Sequence, residues 1–177
     1  FPFTVTQVVL MGRAPHLGLL GIEGRDDIEA ARKAMAFTGV ENLADRRVNQ
    51  LSSGEQQRVF IARAICQNPK IILLDEPTAS LDIHHAAAVM RLLSGPGTHG
   101  RSVVIVTHDI NLAALFSDRL IILVDGRVTA DGAPTDVVRE EIVHAAYGED
   151  ILVRPHPETG GPMVVARRNG PGEKTHA

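Results

Sequence analysis

Two short apolar runs each end in side chains that can do metal or proton chemistry. Residues 71–74 (Ile-Ile-Leu-Leu) run into Asp75-Glu76, and residues 103–106 (Val-Val-Ile-Val) run into Thr107-His108. Continuous apolar runs of this length fit strands buried on both faces of a parallel sheet. A carboxylate at the C-terminal end of such a strand faces the crevice where ligands bind in open α/β sheets. Carboxylates there can hold a hard cation or move a proton, and the imidazole of His108 can donate or accept a hydrogen bond near neutral pH. Upstream, Ser52 and Glu55 are spaced as a capping box. A helix that starts with Ser52, Ser53 and Gly54 offers N–H groups, hydroxyls and a close backbone approach, which suits phosphate. Ser80 and Asp82 precede a further helical segment that begins near Ile83. Singly, each group has a plain alternative: a solvated acidic turn at 75–76, a structural histidine at 108, and ordinary N-caps at Ser52 and Asp82.

The elements that must position these groups divide the chain. Residues 1–69 read as a mainly helical part: an amphipathic stretch over 4–11, a helix over 28–37 with Asp26 and Asp27 at its start and Gly39 beyond its end, and a helix over 53–67. Residues 70–130 read as strand, helix (83–93), strand, helix (111–116), then a strand over 120–124 and an Asp125-Gly126 hairpin turn. Residues 131–168 add a helical segment over 134–147 and a hairpin pairing 151–154 with 163–167. Residues 169–177, polar and rich in Gly and Pro, read as a disordered tail.

Composition narrows the function. The 177 residues are 44% hydrophobic, enough to bury one real core. The net charge is −3, with no Trp and one Tyr, so neither a basic field nor stacking aromatics favour a nucleic-acid partner. The single cysteine, Cys66, reads as a buried small apolar residue in a reducing compartment. No apolar run reaches the ~18 residues of a membrane span. His84 and His85 are adjacent, so on a helix they diverge by about 100° and read as a solvated face rather than a metal pair. The remaining histidines lack zinc spacing.

The order of these groups resembles that of the ATP-binding-cassette (ABC) ATPases. Leu-Ser-Ser-Gly-Glu-Gln-Gln-Arg at 51–58 resembles the signature motif and Ile-Ile-Leu-Leu-Asp-Glu-Pro at 71–77 the Walker B strand. Ala-Ser-Leu-Asp at 79–82 resembles the D-loop, and residues 103–109 the switch-histidine strand. The resemblance implies an α/β, P-loop NTPase-like core, a parallel sheet flanked by helices, with a helical signature subdomain. It departs from the commonest signature in having Ser53 for a glycine and Glu55 for a glutamine, which makes Glu55 a weaker site residue than Ser52 or Gly54. A phosphate-cradling Gly-x-x-x-x-Gly-Lys-Ser/Thr is absent from the sequence: none of Lys33, Lys70 and Lys174 follows a glycine. With Phe1 as first residue, the chain reads as the later part of such an ATPase, the first part of the core being missing. Apolar edges at 71–74 and 103–106 would then be exposed, giving marginal stability or association.

By resemblance, ATP and Mg²⁺ are the implied ligands. Asp75 holds Mg²⁺, Glu76 acts as general base toward the attacking water, and His108 senses the γ-phosphate. Ser52, Ser53, Gly54 and Glu55 face the nucleotide held by a second ATPase subunit, and Ser80 and Asp82 link the two sites. Residues 1–16 are similar to the segment after the Q-loop in importers of iron siderophores, haem and cobalamin, where it helps receive the membrane permease. The implied protein is a homodimeric, peripheral ATPase on the cytoplasmic face of the cell membrane, without direct cargo contact. Two other readings stand beside it: a soluble ABC ATPase of DNA repair or translation, and a non-catalytic interaction module.

Overall fold

The structure, a computed structural model, describes residues 3–18, 21–98 and 100–168. The chain divides into two compact units, Phe1–Thr107 and His108–Ala177.

The first unit is built on helices α1 (Val5–Leu10), α2 (Arg25–Thr38) and α3 (Ser53–Cys66). Thr4 starts α1: its hydroxyl accepts the Gln7 N–H while the Gln7 side chain accepts the Thr4 N–H. Helix α2 begins earlier than its apolar pattern indicates, because the Asp27 carboxylate accepts the Gly24 N–H and pins the first turn at Arg25. It stops at Gly39, which takes the left-handed conformation at φ 70°. Val5, Val9, Val40, Val59 and Ile61 are fully buried where the three helices meet. Each such side chain contributes about 1.5–3 kcal/mol of burial. Cys66 lies in the same core.

Strands β1 (Ile71–Asp75) and β2 (Ser102–Val106) pair in parallel with Asp75 opposite Val106, and helix α4 (Ile83–Ser94) connects them. The expectation that both strands are covered on both faces is corrected. Ile72 is buried, and Leu74, Val103 and Ile105 pack on the core with Val89 and Leu93 of α4. The alternate side chains, Ile71, Leu73, Val104 and Val106, are 47–74% exposed. The run is apolar throughout, but successive side chains point to opposite faces and the helices of this unit cover one. The exposed edge expected from the sequence is therefore an exposed apolar face.

The second unit holds α5 (Ile110–Phe116), the antiparallel pair β3 (Leu120–Val124) and β4 (Arg127–Gly132), α6 (Pro134–Val137), α7 (Glu140–Tyr147), and the antiparallel pair β5 (Ile151–Pro155) and β6 (Pro162–Ala166). Asp125 and Gly126 both take positive φ, 50° and 73°, as a tight hairpin turn demands. The single helical segment expected over 134–147 is two helices. Val138 leaves the helical region at ψ 72° and is buried with Leu120, Ile122, Val137 and Val143, and extended Arg139 starts α7. The tail expected to be disordered, 169–177, lies outside the described residues.

Candidate functional site

The first turn of α3 carries the serine-glycine group. Ser52 is extended, at φ −63° and ψ 159°, and its hydroxyl accepts the Glu55 N–H. The Glu55 carboxylate returns to the Ser52 N–H at 2.8 Å and to its hydroxyl at 2.9 Å. These bonds, the backbone one first, hold the Glu55 carboxyl below the ordinary carboxylate range. Glu55 is thus an ionised cap at the position where the commonest signature has glutamine. The N–H groups of Ser53 and Gly54 precede the first intrahelical hydrogen bond, and Ser52 and Ser53 are exposed, so this end offers donors to an anion.

Asp75 ends β1 and is exposed, with the hard oxygen donors that suit Mg²⁺. Glu76 follows with φ 46°, a left-handed conformation that a residue with a Cβ adopts at a cost of about 1–3 kcal/mol. Its N–H donates to the Val106 carbonyl at 2.9 Å, so one further bond of the parallel ladder fixes the strained residue at the strand end. Pro77 and Thr78 are buried behind it. Sequence periodicity locates the two acids but carries no sign of this backbone turn.

Ser80 is exposed in the loop that follows. Asp82 caps α4, its carboxylate accepting the His85 N–H at 2.9 Å. The His85 Nδ1 donates to both Asp82 oxygens, at 2.8 and 2.9 Å. Both bonds, the backbone one first, lower the Asp82 pKa. His85 lies on the solvated face expected for it, its side chain 43% exposed, but it is also bonded to the Asp82 cap. Its spacing of three from a capping aspartate is the signal that could have found it. Its ring also lies against Gly54, which is buried. Ser52, Ser53, Gly54, Glu55, Asp75, Glu76, Ser80 and Asp82 all belong to the first unit, whereas His108 is exposed and opens the second.

A second feature the periodicity does not show lies after α1. Arg13, in the 3₁₀ turn Met11–His16, donates to Asp27 at 2.8 Å and to the Cys66 carbonyl at 3.0 Å, tying that turn to α2 and α3. His16 bonds the Gln67 carbonyl at 2.7 Å. Among the described residues no cluster of three or more potential ligands could hold a metal without outside donors, and no helix is long and apolar enough to cross a membrane.

The chain is similar to known proteins. The ABC transporter family profile matches residues 5–79. The hemin import ATP-binding protein HmuV of Rhodococcus jostii is 44% identical over 169 residues, which cover 96% of this chain and 57% of the relative. The cobalamin import ATP-binding protein BtuD of Halobacterium salinarum is 42% identical over 165 residues, covering 93% of this chain and 41% of the relative. This chain thus spans about half the length of these relatives. Among solved structures, an inward-facing ABC transporter described as of metal-chelate type matches 94% of this chain and 68% of its own, at 27% identity and a TM-score of 0.85. With the signature-like cap of α3 and the Asp75-Glu76 strand end in place, the chain belongs to the ATP-binding-cassette transporter family, as part of its ATP-binding domain.

Proposed function

We propose that the chain is the signature and Walker B portion of an ATPase that powers an importer, with haem, cobalamin or an iron siderophore as cargo. The observation that carries this reading is the strand end at Asp75-Glu76, where a backbone bond from the Glu76 N–H to the Val106 carbonyl fixes the main chain that carries two adjacent carboxylates. The relatives named for haem and cobalamin import support the transport side.

In this reading Asp75 holds Mg²⁺, which when bound offsets phosphate charge. Glu76 orients the attacking water and takes its proton. The α3 N-terminus donates hydrogen bonds from the Ser53 hydroxyl and the Ser53 and Gly54 backbone to the γ-phosphate of ATP held by a second copy of the subunit; Ser52, whose N–H and hydroxyl are held by the Glu55 cap, joins them only by turning its hydroxyl away from Glu55. Ser80 and Asp82 lie at the contact between the two copies, and His108 is, by resemblance, the histidine that senses the γ-phosphate. Residues 1–16, in which Arg13 and His16 bond the carbonyls of Cys66 and Gln67, serve in this reading as the surface for the membrane permease, and the protein works at the cytoplasmic face of the membrane without touching cargo. The 177 residues do not turn over ATP by themselves, because they contain no phosphate-cradling Gly-Lys loop.

Two experiments test this. In a longer chain that carries the Gly-Lys loop, Glu76→Gln should lower kcat by about 10²–10⁴-fold while Mg-ATP still binds. Affinity purification from the source cells should recover integral membrane subunits. Recovery of ribosomes or DNA-repair complexes instead would overturn the transport assignment.

A further inference from the structure

The imidazole of His85 sits where two of the candidate motifs meet. Its Nδ1 is held by both oxygens of Asp82, and the same carboxylate accepts the His85 N–H, so the ring has little freedom to rotate. The opposite edge of the ring faces α3. A Cβ placed on Gly54 would lie 2.9 Å from the His85 Cδ2, closer than carbon atoms pack, and a tight 3.3 Å from its Cγ. Gly54 is buried although Ser52 and Ser53 on its N-terminal side are exposed. His84 braces the arrangement, its ring meeting that of His85 edge to face with centroids 5.5 Å apart. Glu55 is committed to Ser52, and the ring of His85 meets Gly54 between the two first turns.

We infer that His85 is a positioning residue that locks the first turn of α3, which carries Ser52–Glu55, to the first turn of α4, which follows Ser80 and Asp82. The ring leaves no room for a Cβ at 54 unless it shifts, and a movement of the Asp82 loop reaches the α3 N-terminus through one side chain. The contact stands on geometry alone; its bearing on ATP turnover rests on the function proposed above.

Amide hydrogen exchange on the 177-residue chain tests the lock without nucleotide, so its failure is separable from failure of the proposed function. The reporters are Glu55 and Gln56 in α3, bonded to Ser52, and residues 85 and 86 in α4, bonded to Asp82. His85→Ala should speed exchange at both pairs about fivefold, the loss expected of one interaction of hydrogen-bond strength. His85→Asn keeps a donor for Asp82 but no ring for Gly54, so it should restore 85 and 86 and leave 55 and 56 fast. Gly54→Ala should speed exchange at both pairs in the native chain. In the His85→Ala background it should be neutral or protective, because alanine is the better helix former. The inference is overturned if His85→Ala leaves 55 and 56 unchanged, if His85→Asn restores all four amides, or if Gly54→Ala acts equally in both backgrounds.

Discussion

Replacing Gly12 by alanine probes the tightest backbone packing in the first unit. Gly12 is buried in the turn after α1, and a Cβ built there falls well inside van der Waals contact of the Arg63 carbonyl oxygen on α3. The same Cβ lies 3.2 Å from the Arg63 carbonyl carbon and 3.3 Å from the Cys66 Cβ. The atoms it meets are backbone and the root of a buried side chain, so no rotamer change relieves the clash and the turn must lift off α3. Overpacking usually costs ~1–3 kcal/mol, and the rigidity of this contact places Gly12→Ala near 3 kcal/mol. With an m-value of about 2 kcal/mol/M in urea, the unfolding midpoint should fall by about 1.5 M with m unchanged. Gly18→Ala is the control: nothing lies within 4 Å of a Cβ there. Its midpoint should stay within about 0.25 M of the parent, as for an ordinary surface change. Far-UV circular dichroism against urea measures both. A Gly12→Ala midpoint as close to the parent as the control would refute the packing argument.

Further outcomes follow from the same contacts. Ile61→Ala, at a fully buried position, should cost ~2–5 kcal/mol in the same urea titration. The Asn111 side chain accepts the Val164 N–H at 2.7 Å and donates to the Val164 carbonyl at 2.9 Å, so Asn111→Ala should destabilise the second unit by ~1–2 kcal/mol, read as faster amide exchange over β6. Glu55, Asp27 and Asp82 all titrate below their ordinary range, chiefly through backbone N–H groups of Ser52, Gly24 and His85. A folded pKa below the unfolded one gives stability that is present above the unfolded value and lost as pH falls through the folded one. The thermal midpoint should therefore hold between about pH 8 and 5 and drop below about pH 4. Asp27→Asn should make that acid limb shallower, and an unchanged limb would contradict the assignment of Asp27.

Local signals were legible where side chain and backbone share one cause. The Ser52–Glu55 spacing foretells the capping box, Gly39 the end of α2, and Asp125-Gly126 the β3–β4 turn, because each depends on a few adjacent residues. The long-range arrangement was less legible. The apolar runs at 71–74 and 103–106 predict strands, but which face is covered depends on what packs there, and one face carries Leu73 at 74% exposure. The break at Val138 follows from burial beside Leu120 and Ile122, which no window of the local sequence contains. At the candidate site, motif order locates Ser52, Asp75, Glu76 and Asp82. The strained φ of Glu76 and the ring of His85 on Gly54 arise from a ladder bond and a helix–helix contact, so they emerge only in three dimensions.

The central claim is that these residues form one part of an ATP site whose phosphate loop lies elsewhere. Calorimetric titration of Mg-ATP into the 177-residue chain, and into a chain extended upstream to include a Gly-Lys phosphate loop, tests it most directly. The account predicts binding by the extended chain and none by the 177 residues. Binding by the 177 residues alone would contradict it and would require a nucleotide site other than the one built on Ser52, Asp75 and Glu76.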